Sequence, residues 1–208
     1  MTSINKYLFF LSITILTLGC QNNKNLPTPG DGIDMVFSGL ECETIQVHSE
    51  NKLEGYMLYL AVKGNGIEAD PIIEQQVRAY YSKSQQAEVY QGGSVLQNVI
   101  YCDKVCEGIS ITASADVLGR TAGEDLSEAF IIYYSDNPFL FDKDKKLIGV
   151  LELLKATTIQ DYLSLKALML PDMELYLNTS GASLSGIDFT VNVSLEGGKT
   201  MTTTCTVP

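Results

Sequence analysis

The amino-acid sequence predicts a mainly β fold, an immunoglobulin-like β-sandwich with one or two inserted helices. The first observation is "IDFTVNVSL" at 187–195, where apolar and polar residues alternate strictly, as they do in a strand with one buried face. The second is "GISITASA" at 108–115, which repeats this alternation. The third is a content of 45% apolar residues, enough to fill one core, so we expect residues 33–208 to form a single domain.

The N-terminal segment predicts export and lipid attachment. A polar, basic start precedes an apolar run at 7–18, which is shorter than the roughly 20 residues of a membrane span and typical of a signal-peptide core. The run ends in "LTLGC", which resembles a bacterial lipobox with a small residue directly before Cys20. We therefore expect residues 1–19 to be a lipoprotein signal peptide and Cys20 to carry thioether-linked lipid. An ordinary secretory signal with an incidental cysteine is the alternative.

The segment after Cys20 and the charge of the chain limit its partners. Residues 20–32 are polar and contain prolines and glycines, which predicts a flexible tether. Removal of residues 1–19 takes away Lys6 and leaves 13 Lys and Arg against 25 Asp and Glu, a net charge of −12. Such a surface repels nucleic acid and gains nothing from anionic lipid head groups. We expect no nucleic-acid partner and a membrane contact through the lipid on Cys20 alone.

Apolar alternation predicts the strands of the domain in chain order. Besides 187–195, we place strands at roughly 34–48, 56–63, 108–115, 129–135 and 173–178. In the closing hairpin, a two-residue turn would put the apolar faces of the strands out of phase. A loop at 197–199 sets Leu195 opposite Met201 and Val191 opposite Cys205, so we predict this loop and a Cys205 side chain that faces the core.

Two segments show helical patterns instead. The first runs from Asp70 to about Gln86, with Pro71 at its first position and Ile73 and Val77 at helical spacing. The second opens at Thr158 with a sequence like a capping box and is stopped by Pro171. Its predicted face consists of Tyr162, Leu163, Lys166 and Leu170. The segment 145–156 between them fits either a helix or a strand.

The cysteines predict disulfides. With Cys20 lipidated, Cys42, Cys102, Cys106 and Cys205 remain, and an even number in an exported chain indicates two bonds. Cys42 and Cys205 lie on the first and last predicted strands, so we predict a Cys42–Cys205 bond and a local Cys102–Cys106 bond. A zinc site built on Cys102 and Cys106 is one alternative, and free thiols are the other. Because the chain has a single histidine, we predict no metal and no cofactor.

The most distinctive polar loop is "GRTAGEDLSEAF" at 119–130. It brings Glu124, Asp125 and Glu128 close together in sequence, and paired carboxylates could act as acid and base on a glycoside. In the other interpretation, Gly123 makes a turn, and Glu124 and Asp125 place negative charge at the first turn of a short helix that ends near Phe130. We favour this second, structural interpretation.

The C-terminal half also carries a family resemblance. The run "LQNVIYCDKVCEGISITASADVLGRTAGEDLSEAF" and the closing "FTVNVSLEGGKTMTTTCTV" resemble uncharacterised cell-envelope lipoprotein domains abundant in Bacteroidota. The resemblance implies an envelope location and a β-rich fold, and it carries no functional residues with it. Surface-exported lipoproteins of that group tend to have acidic residues just after the cysteine. "QNNKN" has none, which favours the periplasmic side of the outer membrane.

These observations together predict a non-catalytic envelope lipoprotein that acts as a binding or scaffolding module. A protein partner in the envelope fits this role, whereas no motif supports a glycan ligand. The first alternative is a subunit of a surface assembly, such as a fimbrial or glycan-uptake accessory protein. The second is a glycan-directed hydrolase that uses Glu124 and Glu128. An oligomer on native gels would favour the assembly, and turnover of a glycan that Glu124→Gln abolishes would favour the enzyme.

Overall fold

A computed structural model describes residues 33–48, 54–67, 71–83, 100–135, 138–151 and 157–208. The predicted signal peptide 1–19, the lipidation site Cys20 and the tether 20–32 lie outside the described residues. No helix in the described ranges is long and apolar enough to cross a membrane. The described residues form a mainly β structure built from several antiparallel pairings, which confirms the predicted fold class at that level.

The strands, numbered along the chain, are β1 Ile33–His48, β2 Glu54–Ile67, β3 Ile100–Cys102, β4 Cys106–Ala113, β5 Phe130–Tyr134, β6 Phe139–Phe141, β7 Leu147–Val150, β8 Thr157–Thr158, β9 Asp172–Asn178, β10 Asp188–Leu195 and β11 Lys199–Thr206. The helices are α1 Pro71–Lys83 and α2 Ile159–Ser164, and a short 3-10 helix spans Ser127–Ala129. Each strand predicted from alternation is present. The ambiguous segment 145–156 contains β7, while 152–156 lie outside the described residues.

The strands form one large sheet, one small sheet and a separate hairpin. The six-stranded sheet has the order β3-β1-β2-β9-β5-β8, the three-stranded sheet has the order β11-β10-β4, and β6 pairs with β7. Strand β1 also runs beside β11 in the same direction. The Lys199 ammonium donates to the Phe37 carbonyl at 2.8 Å, and the Thr44 hydroxyl donates to the Thr206 carbonyl at 2.7 Å. The first and last strands therefore connect the two sheets along one side.

The main core is built from buried residues of strands in both sheets. Leu58 on β2 and Leu175 on β9 are fully buried, and so are Val191 and Phe189 on β10. The Phe189 ring meets the Phe130 ring of β5 edge to face, with centroids 6.0 Å apart. Residues of both sheets thus belong to one buried apolar cluster, and β4 and β10, which bury one face against it, show alternating sequences.

A second, smaller apolar cluster attaches α1 to the β6–β7 hairpin. Ile73 and Val77 of α1 are buried there, as their helical spacing predicts. The Gln76 amide fixes the orientation of the helix, since its Nε2 donates to the Lys145 carbonyl at 2.8 Å and its Oε1 accepts the N–H of Leu147 at 2.7 Å. Helix α1 is therefore fixed by both apolar contacts and backbone-directed hydrogen bonds.

The closing hairpin has the predicted phase and a different register. Cys205 is only 7% exposed, so its side chain faces the core as predicted. The predicted pairing of Leu195 with Met201 is wrong, because Leu195 pairs with Lys199 and Phe189 pairs with Cys205. The loop comprises 196–198, in which both glycines adopt positive φ values of 87° and 78°. Two adjacent residues free to adopt this conformation let the chain reverse one residue earlier than predicted.

Helix α2 begins as predicted and ends early. The Thr158 hydroxyl accepts the N–H of Asp161 at 2.9 Å and caps the first turn. The predicted continuation to Pro171 is wrong, since the helix ends at Ser164 and Lys166 has a φ of 50°. The buried hydroxyl of Tyr162 explains the early end: it donates to the Leu168 carbonyl and accepts the Leu170 N–H, both at 3.1 Å. These bonds hold 167–170 out of the helix.

Candidate functional site

The cysteines form one disulfide and one pair of buried thiols. Cys42 and Cys205 are bonded, with their Cα atoms 5.4 Å apart, which confirms the predicted pairing of the first and last strands. The predicted Cys102–Cys106 bond is not formed. Cys102 ends β3 of the large sheet and Cys106 begins β4 of the small sheet, and both side chains are buried in the main core.

Burial disfavours the thiolate form of Cys106. Burial raises the pKa of this thiol to about 12, although a backbone hydrogen bond with Gly108 lowers it, and the charge of Glu107 raises it further. A thiol with this pKa stays protonated at physiological pH, whereas ligands and nucleophiles are thiolates. Among the described residues, no three His, Cys, Asp or Glu side chains form a group that could hold a metal ion.

The carboxylates at 124–128 are engaged in the structure of their own loop. Glu124 accepts the N–H of Thr121 at 2.9 Å, and Glu128 forms an ion pair with Arg120 at 3.1 Å. The predicted short helix is the 3-10 helix that leads into β5. Both acids that the glycosidase hypothesis needs thus serve local contacts.

Asp125 holds this loop against the outer edge of β4. Its Oδ1 accepts the N–H groups of Ile111 and Ser127, both at 3.0 Å. Burial raises the pKa of this carboxyl, but the hydrogen bonds from Ile111 and Ser127 and the charge of Arg120 outweigh that effect and lower it. A general acid for glycoside cleavage needs a raised pKa. The hydrogen bonds of Asp125 therefore attach this loop to the edge of β4, and the lowered pKa gives no support to a role as general acid.

A pocket opens beside the β1–β2 hairpin. It has a volume of about 310 Å³, near the lower limit for small-molecule sites. Its lining combines the end of β1, the start of β2 and the turn after β9, namely Gln46, Glu54, Gly55, Tyr56, Thr179, Gly181 and Ala182. Strand β2 pairs with β1 on one side and β9 on the other, so three distant segments of the chain meet there.

The turn that closes the pocket depends on Gly181. Ser180 and Gly181 have φ values of 50° and 84°, and the Ala182 N–H donates to the Thr179 carbonyl at 3.0 Å, which defines a type I′ turn. The Thr179 N–H donates to the Glu54 carbonyl at 3.1 Å and ties the turn to β2. A Cβ atom on Gly181 would lie 2.9 Å from the Glu54 carboxylate, so glycine lets this carboxylate lie against the turn.

Three polar side chains of the lining lack partners within the protein. Within the described part of the chain, the Glu54 carboxylate, the Gln46 amide and the Thr179 hydroxyl form no hydrogen bond or ion pair. Tyr56 differs, because its hydroxyl accepts the N–H of Leu184 at 3.0 Å. Thr179 is only 4% exposed, so its hydroxyl has little access to water except through the pocket. The three groups are thus available to a ligand.

A buried phenol lies close to Glu54. Among the described residues, the Tyr176 hydroxyl has no hydrogen-bond partner. Burial raises the pKa of this phenol, and the charges of Glu54 and Tyr133 raise it further. Gly55 makes room for the ring, since a Cβ atom there would lie 3.1 Å from it and 2.0 Å from the Leu177 carbonyl oxygen. Glu54 of the pocket lining is therefore followed directly by a glycine that packs against this buried ring.

The residues selected from the sequence do not line this pocket. Neither the cysteines nor the 119–130 loop contributes to it, and His48 is placed only as the register partner of Glu54. The glycine that follows "NTS" at 178–180 is the one local signal, since it marks a turn. Comparison of the chain with protein-family models, with curated proteins and with solved structures finds no match.

Proposed function

We propose that this chain is a non-catalytic binding module of the cell envelope whose ligand site is the pocket at Glu54. The observation that carries the proposal is the convergence of Glu54, Gln46 and Thr179 on one pocket without partners in the described protein. Thr179 is buried beside the exposed side chains of Glu54 and Gln46, and convergent polar groups in a concave site are typical of ligand binding.

The proposed setting is an outer-membrane lipoprotein facing the periplasm. Its support is the signal-like start of the chain, the lipobox at Cys20 and the resemblance to lipoprotein domains of Bacteroidota. The finer fold proposal is an immunoglobulin-like sandwich of a single domain over 33–208. The shared core of the two sheets and the parallel run of β1 beside β11 support it.

The environment of the acidic loop supports a non-catalytic role. Glu124 and Glu128 are engaged with Thr121 and Arg120, and the pKa of Asp125 is lowered, so none of these contacts prepares a general acid. The surface-assembly alternative would gain support from an open sheet edge. In the described part of the chain, both edges of the three-stranded sheet have neighbours: the loop 121–127 covers the edge of β4, and β1 runs beside β11. These two edges therefore give the surface-assembly alternative no support.

Ligand-observed NMR on the lipidated protein in detergent tests the site. The panel contains neutral monosaccharides, amino acids and primary amines. Ala182 is exposed, so Ala182→Trp fills the pocket without disturbing the core, and Ala122→Trp at another exposed turn is the matched control. We expect at least one compound to bind the parent and the control and to lose binding to Ala182→Trp. Absence of binding throughout the panel, or binding that persists in Ala182→Trp, would refute the proposal.

A further inference from the structure

The charge of the pocket limits the ligand that it would take. Among the described residues, Glu54 is the one acidic side chain in the lining, and none of the described Lys or Arg residues lines the pocket. The chain as a whole carries a net charge of −11. An anionic ligand would meet repulsion both in the pocket and at a distance, whereas a cation would find an uncompensated carboxylate. The pocket is therefore complementary to positive charge.

The chemistry of the lining distinguishes among cations. A metal ion is held by several oxygen ligands at short, fixed distances, and the described residues contain no acidic group of that kind. A guanidinium group is planar and favours two parallel bonds to one carboxylate. The pocket instead offers acceptors on three different segments: the Glu54 carboxylate on β2, the Gln46 carbonyl at the end of β1, and the Thr179 hydroxyl in the turn. Acceptors spread in this way match donors that point in different directions.

On the basis of the proposed function, we infer that the pocket binds a primary alkylammonium group. The Glu54 carboxylate, the Gln46 carbonyl and the Thr179 hydroxyl offer one acceptor for each of its N–H bonds, and no basic side chain among the described lining residues competes for them. The volume of about 310 Å³ suits the end of a short alkyl chain and excludes a large ligand. The buried Tyr56, whose hydroxyl accepts the N–H of Leu184, fixes the inner side of the pocket.

The local geometry keeps the carboxylate in place for such a ligand. The Thr179 N–H donates to the Glu54 carbonyl at 3.1 Å, so the turn and the start of β2 move as one unit. Gly181 leaves room for the carboxylate beside the turn, since a Cβ atom would come within 2.9 Å of its oxygen. A site with pre-placed groups loses less free energy on binding than one that must first become ordered.

Titration calorimetry or NMR with defined probes tests the inference. The probes are n-butylammonium, its neutral analogue n-butanol and tetramethylammonium, a cation without N–H donors. We expect n-butylammonium to bind at least about tenfold more tightly than either of the others, since a charge-assisted hydrogen bond contributes that factor or more. Equal binding of n-butanol or tetramethylammonium would overturn the ammonium inference and leave the pocket as a binding site.

Variants separate the pocket from the general acidity of the surface. Glu54→Gln should weaken n-butylammonium binding about tenfold or more, and Thr179→Val several-fold. Glu43→Gln removes the same charge from the neighbouring strand outside the pocket and should leave the affinity within about twofold. An equal loss in Glu43→Gln and Glu54→Gln would mean nonspecific attraction and refute the inference. If Ala182→Trp leaves the binding of every probe unchanged, the proposed function itself fails.

Discussion

Loss of the Cys42–Cys205 bond should cost the protein much of its stability. The bond joins residues 163 positions apart, and the loop-entropy relation assigns such a cross-link about 5 kcal/mol at room temperature. The effect acts mainly through the unfolded chain, because other contacts between β1 and β11 remain. Thr44 still bonds to Thr206 and Lys199 to Phe37. We expect Cys205→Ser to lower the free energy of unfolding by about 3–5 kcal/mol, a large share of the 5–15 kcal/mol typical of domains.

Equilibrium urea denaturation followed by circular dichroism measures this loss, with and without a reducing agent. Cys42→Ser and Cys205→Ser should give the same reduced stability, and added reductant should not lower it further. Cys106→Ala is the matched control, since Cys106 is also buried and is not cross-linked. It removes one buried sulfur atom and should cost roughly 1–2 kcal/mol. Unlike the other variants, it should remain sensitive to reductant.

Two results would refute this reasoning. The first is a parent protein whose unfolding midpoint is the same with and without reductant, because the bond then contributes nothing measurable. The second is a non-reducing peptide map that links Cys42 to Cys102 or Cys106 instead of Cys205, which would overturn the pairing itself. A loss in Cys106→Ala as large as that in Cys205→Ser would show that packing, and not the cross-link, dominates.

Three further predictions concern the loop, the turn and the anchor. Because folding lowers the pKa of Asp125, its contribution is present above the unfolded pKa of about 4 and is lost as the pH falls through the lower folded value. In urea denaturation, Asp125→Asn should be about 1 kcal/mol less stable than the parent at neutral pH, and its free energy of unfolding should fall less as the pH decreases. An equal fall in both proteins would contradict this. Gly181→Ala and Gly119→Ala both place a side chain at positive φ, and each should lower the free energy of unfolding by about 1–2 kcal/mol. Only Gly181→Ala should also weaken n-butylammonium binding, because a Cβ atom on Gly119 meets nothing within 4 Å. Cys20→Ala should release the protein from membranes in fractionation, and mass spectrometry that finds an unmodified mature N-terminus other than residue 20 would contradict the anchor.

Periodicity within single segments accounts for what could be read from the sequence. Strand β10 alternates because one of its faces packs on the core and the other does not, and the same holds for β4. The burial of Ile73 and Val77 follows from helical spacing in the same way. The Cys42–Cys205 bond was predictable because it joins the first and last strands of a chain whose start predicts export.

Contacts between segments decided the features that the sequence analysis missed. Helix α2 stops at Ser164 because the Tyr162 hydroxyl binds the backbone at 168 and 170, whereas the apolar spacing alone continues to Pro171. The register of the last hairpin depends on where two consecutive glycines reverse the chain, and alternation specifies only its phase. Cys102 and Cys106 are close in sequence, yet they enter different sheets and remain thiols.

The sequence by itself determined where the longer strands lie, which faces they bury and that the cysteines of the first and last strands pair. Only the tertiary structure placed Gln46, Glu54 and Thr179 around one pocket. Alternation is a property of a single strand and says nothing about which strands become neighbours. Because β2 lies between β1 and β9 in the sheet, side chains from 46, 54 and 179 meet at its start, although more than a hundred residues separate the last two along the chain.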